Sequence, residues 1–139
     1  MALLGADRDI RALLTASRTI AVVGLSANPS RASHRVSRYM QQQGYTIIPV
    51  NPGITQVLGV RAVPNLKSVP GPVDIVNVFR RPEFVPEIVE AAIAIDAKAI
   101  WMQLGISREA AARRASDAGL QVVMDRCIMI EHGRLVFAA

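Results

Sequence analysis

Short unbroken apolar runs alternate along this chain with longer stretches in which apolar residues return every three or four positions. The first kind reads as strand buried on both faces, the second as amphipathic helix. Apolar runs at 19–25, 45–50, 73–79, 98–102 and 120–124 predict five strands. Helical spacing predicts a helix over 7–16, with Ile10, Leu13 and Leu14 on one face and Asp7 as N-cap. A second helix covers 33–43 and stops at Gly44, with Val36, Tyr39 and Met40 inward. A third covers 81–95, with Pro82 near its start, Glu83 and Glu87 in its early turns, and a stripe of Val85, Ile88, Val89 and Ala92. A fourth covers 107–118, capped by Ser107 with Glu109 in its first turn, and 127–132 forms a last short helical turn. The proline-containing stretch 54–72 is less regular, with a short edge strand at 59–62 and one helical turn at 65–69.

Apolar strands separated by helices imply parallel pairing with both sheet faces covered. Right-handed crossovers then favour one domain over 1–139: an α/β, doubly wound, mainly parallel five- to six-stranded sheet with helices on both faces. Ligands of such sheets sit beyond the C-terminal strand ends. That rule selects the segments 24–31, 50–53, 79–82, 101–106 and 125–132, where the unusual residues of the chain collect.

Composition narrows the class. Half of the 139 residues are hydrophobic but only 4% aromatic, so the core is built from Val, Ile, Leu and Ala. No apolar run approaches the ~20 residues needed to span a bilayer. The first residues lack the basic start and the length of a secretory signal. A single cysteine, Cys127, excludes an internal disulfide and suits a reducing compartment, so a cytoplasmic protein is expected. The net charge of +5 comes mainly from arginine, since Lys67 and Lys98 are the only lysines. These arginines are scattered and have no aromatic platform, which argues against nucleic acid and for a small polyanionic ligand.

The loop after the first strand, Gly24-Leu25-Ser26-Ala27-Asn28-Pro29-Ser30-Arg31, delivers backbone toward a helix start. Such a loop is a common phosphate cradle. It departs from the dinucleotide fingerprint, because Ser26 stands at the next glycine position and no third glycine follows. The acidic residue that would hold a ribose hydroxyl is replaced by Pro49-Val50-Asn51-Pro52. Ser26, Ser30, Arg31 and Ser33 offer hydroxyl and guanidinium donors, although each serine also suits a turn or cap. In Phe79-Arg80-Arg81-Pro82, adjacent arginines face different ways, and either can bind phosphate or stack on a base. Trp101 reads most simply as core, while Gln103 and Gly105 beside it are harder to assign to packing. In the segment 125–132, Arg126 can reach a phosphate and Glu131 pairs locally. With two histidines in the chain, no metal site and no nucleophile–base pair is expected there.

In order and spacing, GLSANPSRASHRV, PVNPG, VFRRPE, WMQLGI and MDRCIMIEH closely resemble the stand-alone bacterial CoA-binding proteins. These are similar to the N-terminal CoA-binding domain of the succinyl-CoA synthetase α subunit. The resemblance covers roughly residues 17–136 and implies a Rossmann-like fold with coenzyme A, or an acyl-CoA, across the strand ends. It places Gly24, Ser26, Arg31 and Ser33 at phosphates, and Val50, Asn51 and Pro52 on the adenosine side. Phe79, Arg80 and Arg81 would contact nucleotide and phosphates, and Gln103 and Gly105 would approach the pantetheine arm. The synthetase's phosphorylated histidine lies in a second domain, no counterpart of which is expected here, and neither His34 nor His132 is expected to replace it. The expected function is therefore a non-catalytic carrier, sensor or partner subunit, acting with a protein partner or as a homo-oligomer. The alternative is an NAD(P)- or nucleotide-binding enzyme.

Overall fold

The computed structural model describes residues 3–137. Its strands β1 (Thr19–Val23), β2 (Thr46–Val50), β5 (Ile75–Val78), β6 (Ala99–Met102) and β7 (Gln121–Val123) form one sheet in the order β2-β1-β5-β6-β7. Every pairing in it is parallel. This is the doubly wound Rossmann-like α/β architecture expected from the pattern.

The alternation within each strand explains why the runs are unbroken. On one face Ala21, Val23, Val76, Val78, Ile100 and Met102 join Val85, Ile88, Val89 and Ala92 of α3 (Val85–Ala94). Ala111, Ala112 and Ala115 of α4 (Glu109–Asp117) complete that layer. On the other face Ile20, Val22, Ile75, Ala99 and Trp101 meet α1 (Asp7–Ala16), α2 (Ala32–Gln42) and Ile128 of α5 (Ile128–His132). A strand sandwiched between helices has no polar face, so its sequence loses the period of two.

Local chemistry moves several boundaries. The helix expected over 81–95 is a 3-10 turn (Pro82–Phe84) leading into α3. Pro86 has no N–H to give the carbonyl of Pro82, so Val85 closes a tighter turn onto that oxygen. Asp7 is not the cap of α1; Ala6 holds that position and Asp7 lies in the first turn. Ser107 does not cap α4 either: Arg108 occupies the N-cap, and the Ser107 hydroxyl turns to Met124 Sδ at 3.7 Å.

The irregular stretch contains one more strand than the pattern indicated. β3 (Gln56–Val57) and β4 (Val60–Arg61) pair antiparallel around a two-residue turn in which Leu58 (φ 54°) and Gly59 (φ 74°) are both left-handed. Gln41 Nε2 donates to the Leu58 carbonyl at 3.0 Å, supporting an unfavourable conformation for leucine. The segment after this hairpin returns along β2, where Asn51 N donates to Val63 O at 2.9 Å. Among the described residues no helix is long and apolar enough to cross a membrane.

Candidate functional site

Counting only main-sheet strands, the order is 2-1-3-4-5, so the winding reverses direction between β1 and β5. A crevice opens at such a switch point because the two flanking connections leave toward opposite faces. The loop after β1 and the segment Phe79-Arg80-Arg81 after β5 meet there. Phe79 N donates to Val23 O and Gly24 N to Val50 O, both at 2.9 Å, so main-chain bonds carry three strand ends into the site.

Gly24 is the tightest point. Its φ is +90°, and a Cβ built there would lie 2.5 Å from the Phe79 carbonyl oxygen and 3.0 Å from Arg80 Cδ. The lone glycine of the loop is therefore a close-approach position, required by the crossing of two backbones. Beyond it the loop is self-supporting. Ser26 N donates to Ser33 Oγ at 3.0 Å, Asn28 N to Ser26 Oγ at 3.0 Å, and Ser30 Oγ to Asn28 Oδ1 at 2.8 Å. Leu25 is buried, and its carbonyl accepts from Asn51 Nδ2 at 2.9 Å, which ties this loop to the end of β2.

Two cavities flank the Phe79-Arg80-Arg81 segment, each of about 620 Å³. Sites of this size hold a cofactor-sized ligand. The first is lined by Gly24, Arg31, Val50, Asn51 and Pro52, with Asn65, Phe84 and Glu87 opposite. Arg31, Arg80 and Arg81 outnumber the one carboxylate, Glu87, so this cavity is cationic. The Arg80 guanidinium lies 4.2 Å from the Phe84 ring centre, and that of Arg81 lies 5.8 Å from it. A cation over an aromatic ring is attracted to its face, which favours these positions of the two side chains. Arg81 also pairs with Glu83 at 3.5 Å, an exposed and weak contact.

The second cavity is lined mainly by apolar residues, among them Val36, Leu104, Ile106, Met129 and Ile130, together with Arg35, Gln103, Gly105 and Cys127, and with Phe79-Arg80-Arg81 as the shared wall. Its backbone is fixed by side chains. The Asp125 carboxylate accepts from Gly105 N at 2.7 Å, and Asp125 itself is left-handed at φ 57°. Buried Gln103 donates from Nε2 to Asn77 Oδ1 at 2.7 Å, and the Trp101 indole N–H donates to Arg126 O at 2.8 Å.

The expected positions separate cleanly. Gly24, Arg31, Val50, Asn51, Pro52, Phe79, Arg80 and Arg81 line the first cavity, and Gln103 and Gly105 line the second. Leu25, Ser26, Ser30 and Ser33 form the fabric of the first loop. Arg126 lines neither cavity; its guanidinium donates to Gly5 O at 3.2 Å and pairs with Glu131 at 3.7 Å. Sequence reasoning missed Asn65, Phe84 and the apolar residues 104, 106, 129 and 130. Among the described residues no group of three or more His, Cys, Asp and Glu could hold a metal ion.

His132 lies away from both cavities. Its Nδ1 and the Tyr39 hydroxyl are hydrogen-bonded at 3.0 Å, and the rings of Tyr39 and Tyr45 meet it edge-on. Burial holds its pKa below the ordinary histidine value.

A parallel sheet wound outward from a switch point, with helices on both faces, defines the Rossmann-like class of α/β proteins. Within that class the chain belongs to the CoA-binding domain family, whose model matches residues 18–133. It is 49% identical over 124 residues to the uncharacterized protein YneT of Bacillus subtilis (strain 168), covering 89% of this chain and 92% of that one. It is also 34% identical over 71 residues to the α subunit of acetate–CoA ligase (ADP-forming) II from Pyrococcus furiosus. That match covers 50% of this chain but 16% of the ligase subunit. A solved structure of a hypothetical protein from Pyrococcus horikoshii OT3 superposes with a TM-score of 0.92 at 39% identity, covering 95% of this chain and 93% of the other.

Proposed function

We propose that this protein binds coenzyme A or an acyl-CoA along the rim formed by the ends of β1, β2, β5 and β6, as a non-catalytic carrier, sensor or partner subunit. One observation carries the reading: a cationic cavity and a less polar one of equal volume meet on a single wall, Phe79-Arg80-Arg81. Coenzyme A has matching halves, a polyanionic nucleotide and an uncharged arm. In this assignment Gly24, Ser26, Arg31 and Ser33 present backbone and side-chain donors to phosphate, beside the open N–H groups of the first turn of α2, while Ser30, whose N–H and hydroxyl both donate to Asn28, holds the loop in shape. Leu25 shapes that loop. Val50, Asn51 and Pro52 face the adenosine. Arg80 and Arg81 clamp phosphate across Phe79, and Gln103 and Gly105 border the arm. Arg126 contributes only by holding the end of β6.

Calorimetric titration with CoA, 3′-dephospho-CoA and NADP+ tests the reading. CoA is expected to bind most tightly, and Arg80→Ala to weaken it about tenfold or more, the loss of one charge-assisted contact. Equal affinity for CoA and 3′-dephospho-CoA refutes an arginine clamp on the 3′-phosphate. Tighter binding of NADP+ than of CoA refutes the assignment as a whole.

A further inference from the structure

Resting on the reading that coenzyme A lies along this rim, we propose that the second cavity seats the acyl chain of a CoA thioester and selects chains longer than acetyl. The argument begins with what that cavity offers. Val36, Ile106, Met129 and Ile130 line it, with Phe79 on the shared wall. Several of its polar groups are already engaged: Gln103 Nε2 with Asn77, the Gly105 N–H with Asp125, and Arg35 with the Ser30 carbonyl, which leaves Arg80 and Arg81 on the shared wall as its main free donors. The pantetheine arm that borders Gln103 and Gly105 finds partners for its amides in Arg80 and Arg81 on the shared wall, whereas the apolar remainder of the cavity offers none. Methylenes need none.

The mouth of the cavity points the same way. Leu104 is 65% and Ile130 54% exposed, among very few large apolar side chains so uncovered in the described residues. Paired at the edge of an apolar cavity, they form a surface whose exposure is unfavourable until something apolar covers it. An occupant can also extend into the cavity from the cationic side, because the two share the Phe79-Arg80-Arg81 wall. An aliphatic chain linked to a polyanionic head group meets both conditions in one molecule.

Calorimetry on the whole protein with CoA, acetyl-CoA and octanoyl-CoA decides the matter. Each fully buried methylene is worth roughly a fourfold gain in affinity, part of which is lost in ordering the chain. Octanoyl-CoA is therefore expected to bind at least about tenfold more tightly than acetyl-CoA, with a more negative heat-capacity change. Leu104→Ser and Ile130→Ser sit at exposed positions where folding tolerates them; each should erase most of that advantage and leave the affinity for CoA in place. Equal binding of all three ligands overturns the acyl site while the CoA reading stands. Binding of none of them removes both. An octanoyl advantage that survives both substitutions places the chain elsewhere and overturns the proposal.

Discussion

The two cavities are equal in size and share a wall, yet the glycines that border them are held differently. At the cationic one Gly24 sits among main-chain ties between strand ends, Gly24 N to Val50 O and Phe79 N to Val23 O, with the Phe79 carbonyl where its Cβ would be. At the apolar one the Gly105 N–H donates to the Asp125 side chain, and nothing lies where its Cβ would be. Donors aimed at an anion must be positioned to a fraction of an ångström, and main-chain hydrogen bonds at strand ends provide that. A surface that collects methylenes needs only shape. It tolerates a looser support.

The largest test of this contrast is Gly24→Ala. The new Cβ meets a carbonyl oxygen at 2.5 Å in a left-handed backbone, so a loss of roughly 3 kcal/mol is expected in denaturant unfolding. A loss below about 1 kcal/mol would show that the crossing is soft. Next comes Gln103→Leu, which orphans buried Asn77 and should cost about 2 kcal/mol. Adding Asn77→Leu should restore most of it, and failure to do so would mean that the pair does more than satisfy itself. Gly105→Ala is gentler, because its φ is +87° but a Cβ there meets open space. About 1 kcal/mol is expected from conformation alone. A cost equal to that at Gly24 would erase the distinction between the two supports.

The smallest effect is a control outside both cavities. His132 has a depressed pKa in the folded protein, so the unfolded chain takes up the proton first as pH falls. Its contribution is full above the unfolded value of about 6.5 and declines as pH drops below it. Melting temperature should therefore fall on mild acidification in the parent and less in His132→Gln. An unchanged slope in the variant would assign the acid sensitivity elsewhere.

The same contrast explains what could be read from the chain beforehand. All five main strands were visible as apolar runs, since each is sandwiched between helix layers. Gly24 and the two arginines after β5 stood out because charge and glycine are conspicuous beside buried strand. The wall of the second cavity did not, because Ile106, Met129 and Ile130 are spaced like core residues and only the fold shows that they border a void. β3 escaped for a local reason: the hairpin turn uses Leu58 where Asn, Asp or Gly is the usual signal. Arg126 carried the right charge at a strand end, but charge alone says nothing of direction. Its guanidinium swings back to Gly5 and Glu131.

Trp101 is the only tryptophan in the chain, and its indole is wholly buried two residues before Gln103, with the N–H bonded to the main chain of Arg126. The molecule thus carries a built-in optical reporter at the end of β6. Its emission should lie to the blue of the unfolded chain's, free of any competing indole. A ligand that disturbs the Asp125-held turn would change that light, whereas one confined to the arginine side would leave it dark to the event.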